Sequence, residues 1–167
     1  MLRVLLAALL SFASLASVSA STWTSRASWQ DWGGIASSSD GTKLAAMVVD
    51  GNIWTSWDSG ESWTSRASSK DWRGIASSSD GTKLAAVVNN GNIWTSTDSG
   101  GTWTSRASPQ NWFGITSSSD GTKLAAVVYN NGNIWTYSAP PPPPPPPLSC
   151  CEEALAKYGF ETGRELR

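Results

Sequence analysis

The chain has 167 residues with 12 basic and 13 acidic side chains, a formal net charge of −1 and no histidine. Its charges are spread out without a basic stripe, so nucleic acid is not an expected partner. Because histidine is absent and the two cysteines are adjacent at Cys150 and Cys151, the usual zinc ligand sets and every Ser-His or Cys-His pair are excluded. We therefore expect no metal site and no cofactor.

Residues 1–20 have the pattern of a secretory signal peptide. Arg3 supplies the positive charge, residues 4–10 form an apolar run, and a small-residue cleavage site ends at Ala20. The apolar run is far shorter than the roughly 20 residues that a membrane span requires. The sequence therefore predicts a secreted, extracellular protein without a membrane span, whose mature part begins at Ser21.

A unit of 40 residues repeats three times within residues 21–138. Trp23, Trp63 and Trp103 each open the same Trp-Thr-Ser-Arg-Ala-Ser phrase, and such self-similarity is typical of stacked structural units. Short apolar runs between Gly-containing turns predict four strands per unit. In the middle unit these strands, A to D, are placed at about residues 72–78, 83–89, 92–96 and 102–107.

The patterns within the strands indicate a β-propeller. Strand B is continuously apolar from Leu84 to Val88, as expected of a strand buried on both faces. Strand D alternates, as expected of an outer, half-exposed strand. The high content of Ser, Thr, Gly and Val argues against a helical solenoid. We predict an all-β fold with three four-stranded propeller blades, which form either a partial propeller or half of an oligomeric one.

Two turns recur in the units. The A–B turn reads Ser-Ser-Asp-Gly-Thr at residues 38–42, 78–82 and 118–122, where Asp can bond its own backbone and Gly accepts a positive φ. The C–D turn reads Ser-x-Asp-x-Gly-x-(Ser/Thr)-Trp at residues 56–63 and 96–103.

At the C–D turns the chain resembles the Asp-box, or BNR, repeat of sialidases, sortilin-type receptors and the photosystem II assembly factor family of propellers. In that family the Asp box is a folding device on the face away from the active site. Its Asp ties down turn amides and its Trp packs into the hairpin. The resemblance implies this structural role for Ser56, Asp58, Gly60, Trp63, Ser96, Asp98, Gly100 and Trp103.

The third unit ends early. After Trp135 it continues for four residues into a run of prolines at 140–147, without an Asp box or a strand D. Residues 22–28, in contrast, read as a strand D with no blade before it. Propellers usually have about four to eight blades. The chain therefore forms either an open arc or a homodimer that completes a six-blade propeller, in which each copy lends residues 22–28 to the other.

Two further segments follow the repeats. Proline cannot donate to a sheet ladder, so residues 139–148 are predicted to be a polyproline linker in the extended PPII form. Residues 149–167 are too few to bury a core. We expect them to be either a disordered end or the beginning of another domain, and a bond between the adjacent cysteines would be strained.

The sequence predicts no catalytic residue. A sialidase, by resemblance, would need three arginines that converge, whereas Arg26, Arg66 and Arg106 occupy one repeated position and are spread around the rim. Once the recurring aspartates of the A–B and C–D turns are set aside, four carboxylates of the repeats remain for glycoside hydrolysis: Asp31, Asp50, Glu61 and Asp71. We expect a chain that is not an enzyme, and a sialidase-like or other glycoside-acting enzyme fragment is the alternative.

The tryptophans divide into two groups. Most recur once per unit and are predicted to pack between blades. Trp29 and Trp57 have no counterparts, because Ser69 and Pro109 match the first and Thr97 and Tyr137 match the second. These two tryptophans are better placed to contact a ligand.

The variable positions indicate a binding face. In a propeller the A–B and C–D turns share one face, and the B–C and D–A turns share the other, where the three copies differ most. Variable loops on a rigid scaffold are typical of binding proteins, although loops also drift after duplication. We expect a binding or adhesion module for a glycan or an extracellular protein, with a structural cell-surface component as a further alternative. The candidate ligand-binding residues are Trp29, Gln30, Asp31, Lys70, Asp71, Arg73, Asn111 and Phe113.

Overall fold

The computed structural model describes residues 22–130, 132–141 and 143–144. Within these residues the chain contains eleven strands and no helix, and hence no helix there that is long and apolar enough to cross a membrane. The predicted signal peptide, the tail at residues 149–167 and both cysteines lie outside the described residues.

The strands form three antiparallel sheets, which we call blades 1, 2 and 3. Blade 1 contains β1 (Trp32–Ser37), β2 (Leu44–Val48), β3 (Ile53–Ser56) and β4 (Thr64–Ser65). Blade 2 contains β5 (Trp72–Ser77), β6 (Leu84–Val88), β7 (Ile93–Ser96) and β8 (Thr104–Ser105). Blade 3 contains β9 (Trp112–Ser117), β10 (Lys123–Val128) and β11 (Ile134–Ser138). The predicted all-β fold with blade-like sheets is confirmed.

The outer strands differ from their prediction. Strand D of the middle unit was expected over residues 102–107, but β8 contains only Thr104 and Ser105. Residues 22–28 form no strand in the single chain, so the strand expected there is absent. A strand needs a neighbouring strand to receive its backbone hydrogen bonds, and residues 22–28 precede the first blade of the chain.

Side chains between the blades form the core. Met47 and Ile53 of blade 1 pack against Trp72 of blade 2, and Val87 of blade 2 packs against Trp112 of blade 3. Trp72 and Trp112 are both fully buried, which agrees with the predicted packing role for these two, whereas Trp23, Trp32 and Trp135 at the ends of the arc are exposed. Strand β6 is buried on both of its faces from Leu84 to Val87, as its continuous apolar run predicted.

The inner strands of the three blades are adjacent. Strand β5 contacts both β1 and β9, which places these first strands of the blades side by side at the inner edge of the arc. At Gly74 a Cβ atom would lie 3.2 Å from the Cα atom of Gly114. This close approach of two backbones requires glycine.

Backbone hydrogen bonds define two opposite faces. On the turn face, which comprises the A–B and C–D turns, amides bond A–B turn carbonyls at 2.8–3.0 Å: Ser59 to Thr42, Ser99 to Thr82 and Ala139 to Thr122. On the loop face, which comprises the D–A connections and B–C turns, amides bond D–A carbonyls at 2.9 Å: Val49 to Asp31, Asn89 to Asp71 and Tyr129 to Asn111. The variable loops thus lie together, opposite the recurring turns.

Candidate functional site

On the turn face, the first C–D turn is closed by its own side chains. The carboxylate of Asp58 accepts hydrogen bonds from the Ser62 hydroxyl at 2.6 Å, the Ser62 amide at 2.9 Å and the Ser56 hydroxyl at 2.7 Å. The Ser56 hydroxyl accepts from the Gly60 amide at 2.9 Å, and the Trp63 indole donates to the Gly60 carbonyl at 3.0 Å. The side chains of Ser56, Asp58, Ser62 and Trp63 are therefore all hydrogen-bonded within the turn.

The second C–D turn repeats this arrangement. Asp98 accepts from the Thr102 amide at 2.8 Å, the Ser96 hydroxyl at 2.7 Å and the Thr102 hydroxyl at 2.7 Å. Hydrogen bonds to a carboxylate favour its charged form. The Ser62 hydroxyl, with the other donors, lowers the pKa of Asp58 to about 2, and the Thr102 amide leads the donors that lower the pKa of Asp98 to about 2.

The A–B turns also hold their carboxylates as anions. The Ser38 hydroxyl, 2.6 Å from Asp40, is the main cause that lowers the pKa of Asp40 to about 2. Serine hydroxyls in the same place lower the pKa of Asp80 and Asp120 still further. These three carboxylates, like those of the C–D turns, are committed to turn structure.

The loop face exposes aromatic surface. The side chain of Trp29 is 94% exposed, and Phe113 and Tyr129 are both more than half exposed. The rings of Phe113 and Tyr129 lie 5.4 Å apart between centroids, tilted by 33°. Tyr129 was not among the candidate residues, although its variable B–C position gave a signal that could have found it.

Three of the predicted charged residues have partners on this face. Arg73 forms a salt bridge with Asp71 at 2.8 Å, and the side-chain amide of Asn89 donates to Asp71 at 2.8 Å. The ammonium group of Lys70 lies 4.7 Å from the ring centroid of Trp94, a cation–π distance. These side chains form local pairs within the blade 2 region of the face.

The remaining predicted residues position the loops through their backbones. The carbonyl of Gln30 accepts from the Trp32 amide at 2.9 Å, and the carbonyls of Asp31 and Asn111 accept from the B–C turns. The candidate residues therefore share the loop face, in three sets that belong to successive blades.

The second unmatched tryptophan lies on the opposite face. Trp57 is more than half exposed in the first C–D turn, and the guanidinium of Arg66 lies 5.3 Å from its ring centroid. The register also corrects one comparison made above. Tyr137 pairs with Leu124 as Ser56 pairs with Leu44, so Tyr137 takes the place of Ser56 and not that of Trp57.

Sequence reasoning missed a cavity of about 500 Å³ between blades 2 and 3. Its walls include Thr95, Arg106 and Ala107 from blade 2 and Trp112 and Trp135 from blade 3. The Trp112 side chain, although buried, has no hydrogen-bond partner for its indole nitrogen among the described residues. The cavity lies beside the edge of blade 3, where the described residues form no counterpart of the outer strands of blades 1 and 2.

Comparison with solved structures shows the propeller fold. YCF48 bound to D1 peptide matches 66% of this chain at 15% identity with a TM-score of 0.56, and the match covers 38% of YCF48. The GH74 enzyme of Niastella koreensis matches 64% of this chain at 25% identity with a TM-score of 0.52, over 16% of that enzyme. The β-propeller domain of Cps50 (Swd1) from Myceliophteria thermophila matches 72% at 17% identity with a TM-score of 0.53, over 42% of that domain.

The chain thus spans less than half the length of each of these structures. No protein-family model matches the chain, and no curated protein matches it in sequence. The neighbours include a glycoside hydrolase as well as a propeller with a bound peptide, so the shared fold is compatible with either function.

Proposed function

We propose that the chain is an exported, non-catalytic Asp-box propeller module that binds a glycan or an extracellular protein through its loop face. The observation that carries this proposal is the exposed aromatic surface of that face, formed by Trp29 and the Phe113–Tyr129 pair. Flat aromatic faces beside hydrogen-bonding groups suit sugar rings and peptide side chains. The peptide bound to the similar propeller YCF48 is consistent with a protein ligand.

The hydrogen bonds of the C–D turns support the Asp-box assignment. Asp58 and Asp98 each receive bonds from a turn amide and two hydroxyls, and Trp63 and Trp103 close the hairpins. This is the folding role that the resemblance implies. The aspartate carboxylates of these turns are therefore already engaged by donors of their own turns.

The placement of charged groups supports a non-catalytic role. Arg26 is paired with Glu61 at 2.7 Å, and Arg66 and Arg106 each donate to a threonine of their own blade at 3.1 Å. The three arginines therefore do not form one anion site. The similarity to a GH74 enzyme makes a glycoside-acting fragment the second candidate.

The test is binding by chain recovered from the medium of expressing cells, whose N-terminal sequence should begin at or near Ser21 if the export part of the proposal is correct. The recovered chain is applied to a glycan array and to an extracellular peptide library. We expect one class of ligand to bind, and expect Trp29→Ala and Phe113→Ala to weaken it by about 1–3 kcal/mol each, the range for interface anchors.

Trp57→Ala is the control, because it removes the other unmatched, exposed tryptophan, which lies on the turn face. It should leave the affinity unchanged. If Trp57→Ala abolished binding and Trp29→Ala left it intact, the site would lie on the turn face and the proposal would be wrong. Turnover of a panel of fluorogenic glycosides would favour the glycosidase alternative.

A further inference from the structure

The two junctions between blades follow one plan. In the first, Met47 and Ile53 of blade 1 pack against Trp72 of blade 2. In the second, Val87 takes the place of Met47 and packs against Trp112 of blade 3. Each junction therefore joins the trailing side of one blade, with its aliphatic residues, to the leading side of the next, with its tryptophan.

The two ends of the arc expose residues whose counterparts are buried in the internal junctions: the tryptophan side at blade 1 and the aliphatic side at blade 3. On the leading side of blade 1, Trp32 is 37% exposed, whereas its counterpart Trp72 is 0% exposed. On the trailing side of blade 3, Val127 is 39% exposed, whereas its counterpart Val87 is 0% exposed. Ile134 on the same side is also exposed. The trailing end thus matches the leading end of a second copy, which indicates head-to-tail pairing.

Hydrogen bonds between the A–B turns point to the same pairing. The backbone amide of each A–B turn donates to a carbonyl of the next turn at 2.7 Å, Ser39 to Ser79 and Ser79 to Ser119. A lysine ammonium group also donates to a carbonyl of the next turn, Lys43 to Asp80 and Lys83 to Asp120. Blade 3 carries the donors for one more set of such bonds, the Ser119 amide and the Lys123 ammonium. Blade 1 of a second copy carries the matching acceptors, the carbonyls of Ser39 and Asp40.

Within the part of the chain that the structure describes, blade 3 has three strands and no outer strand. In blades 1 and 2 this strand pairs with the third, with Ser65 opposite Trp54 and Ser105 opposite Trp94. Strand β11 has no outer partner among the described residues, and it is exposed along its whole length. Its unpaired backbone groups are available to another strand.

The cavity beside β11 is the counterpart of a filled space between blades 1 and 2. There, the second C–D turn covers blade 1, and a Cβ atom at Gly100 would lie 3.0 Å from the Thr55 methyl group and 3.8 Å from Arg66. Trp103 packs against the same junction. Blade 3 has neither a C–D turn of this kind nor a tryptophan that follows it, so Thr95 and Arg106 line an open cavity instead.

Residues 22–28 repeat the sequence phrase that forms β4 and β8. They lie against blade 1 where the outer strand of a preceding blade would lie. Arg26 contacts Glu61 in the first C–D turn, as Arg66 lies beside Gly100 in the second. Ala27 lines a small gap together with Trp32. The segment is therefore placed on blade 1 as the outer strand of a preceding blade would be.

We propose that two copies of this chain pair head to tail in a six-blade ring, and that residues 22–28 of each copy form the outer strand of the other copy's blade 3. Trp23, which is fully exposed in the single chain, then enters the cavity beside Trp135. Two copies supply six blades, within the roughly four to eight that close a propeller. This pairing does not depend on the proposed ligand.

The repeat fixes the register of the donated strand. Thr64 lies opposite Thr55 and Thr104 lies opposite Thr95. By the same offset, Thr24 of one copy lies opposite Thr136 of the other. Directly opposed residues have Cα atoms about 5.5 Å apart in a hydrogen-bonded pair, which is within the range that a disulfide bridges.

The first experiment is a disulfide trap between different copies. Full chains with Cys150→Ser and Cys151→Ser carry either Thr24→Cys or Thr136→Cys, with different tags, and are co-expressed and oxidised. We expect a disulfide-linked dimer that contains both tags. The control combines Thr24→Cys in one copy with Thr95→Cys in the other. It should give no such dimer, because Thr95 already lies opposite Thr104 of its own blade.

The second experiment measures the mass of the full chain by light scattering after size exclusion. The wild type should have the mass of two chains and Trp23→Ala the mass of one. Because Trp23 is exposed in the single chain, the variant should keep the circular dichroism of a folded β-protein. Two results of this measurement would overturn the proposal: a monomeric wild type, or a dimer that Trp23→Ala leaves intact. A chain that carries both Thr24→Cys and Thr136→Cys gives a further check, and a disulfide that forms only within this single chain would also overturn the proposal.

Discussion

At the scale of single residues, the turn face is stabilised by ionised aspartates. Asp58 and Asp98 each accept three hydrogen bonds from their own turn. Hydroxyl and amide donors favour the charged carboxylate, and protonation turns one carboxylate oxygen into a donor and makes the group a weaker acceptor. The stability of the turns should therefore depend on pH in the acid range.

We predict that the chain loses stability as the pH falls from about 4 to about 2. The pKa of Asp58 is about 2 in the fold, against 3.8 ordinarily, so the unfolded chain binds more protons. A depressed pKa gives stability that is present above the ordinary value and is lost as the pH falls through the folded value. Urea midpoints followed by tryptophan fluorescence at several pH values measure this loss.

A variant with Asp58→Asn and Asp98→Asn should be less stable near neutral pH and should lose less on acidification. The dependence of stability on pH that remains in this variant should come from the aspartates of the A–B turns. Asp31→Asn on the loop face is the control and should follow the wild type. A double variant whose curve runs parallel to the wild type would show that these two carboxylates do not contribute.

At the scale of strands, position in the arc decides burial more than sequence does. Val87 in β6 and Val127 in β10 are the same residue at the same register position, but Val87 is 0% exposed and Val127 is 39% exposed. Val87 has blade 3 against it, whereas the described chain has no blade beyond blade 3.

We predict that Val87→Ala lowers the free energy of unfolding by about 2 kcal/mol, from lost transfer energy and a residual cavity. Val127→Ala should lower it by less than about 1 kcal/mol, because that side chain is partly in water. Both are measured by urea unfolding with Trp23→Ala in the background, so that pairing of copies does not bury Val127. Equal costs for the two changes would contradict this description of the junctions.

The sequence predicted the inner strands well and the outer strands poorly. Strands A, B and C of the middle unit begin and end within one residue of their predicted bounds, because Gly and Asp turn residues fix their ends. Strand D was predicted with six residues and has two. Its pattern is local, but its length depends on how far the neighbouring strand extends.

The sequence placed the candidate residues on one face but did not predict their contacts. The D–A and B–C loops that carry these residues do lie together in the structure. The partners of Asp71, which are Arg73 and Asn89, depend on where a B–C turn meets a D–A connection, and no local pattern encodes this. The cavity beside β11 was also unpredicted, since it arises from the absence of a strand rather than from a motif.

At the scale of the whole molecule, the three blades are a ring segment with two matching open ends. Trp32 and Ile35 at one end and Val127 and Ile134 at the other are exposed apolar residues whose counterparts in the internal junctions are more buried. Exposed apolar patches and an unpaired edge strand favour association. A head-to-tail contact either closes into a ring or continues as a filament, and a second copy that completes six blades closes it.

If the ring forms, the stability of the chain should depend on its own concentration. Association of folded copies stabilises the folded state by mass action, so the thermal midpoint of the wild type should rise over about a hundredfold increase in concentration. In Trp23→Ala, which lacks the anchor of the donated strand, the midpoint should stay constant. Val127→Ala should lower the wild-type midpoint more than it lowers that of Trp23→Ala, because pairing buries this side chain in a new junction. Differential scanning calorimetry across the concentration series measures all three effects, and a wild-type midpoint that does not change with concentration would contradict the ring.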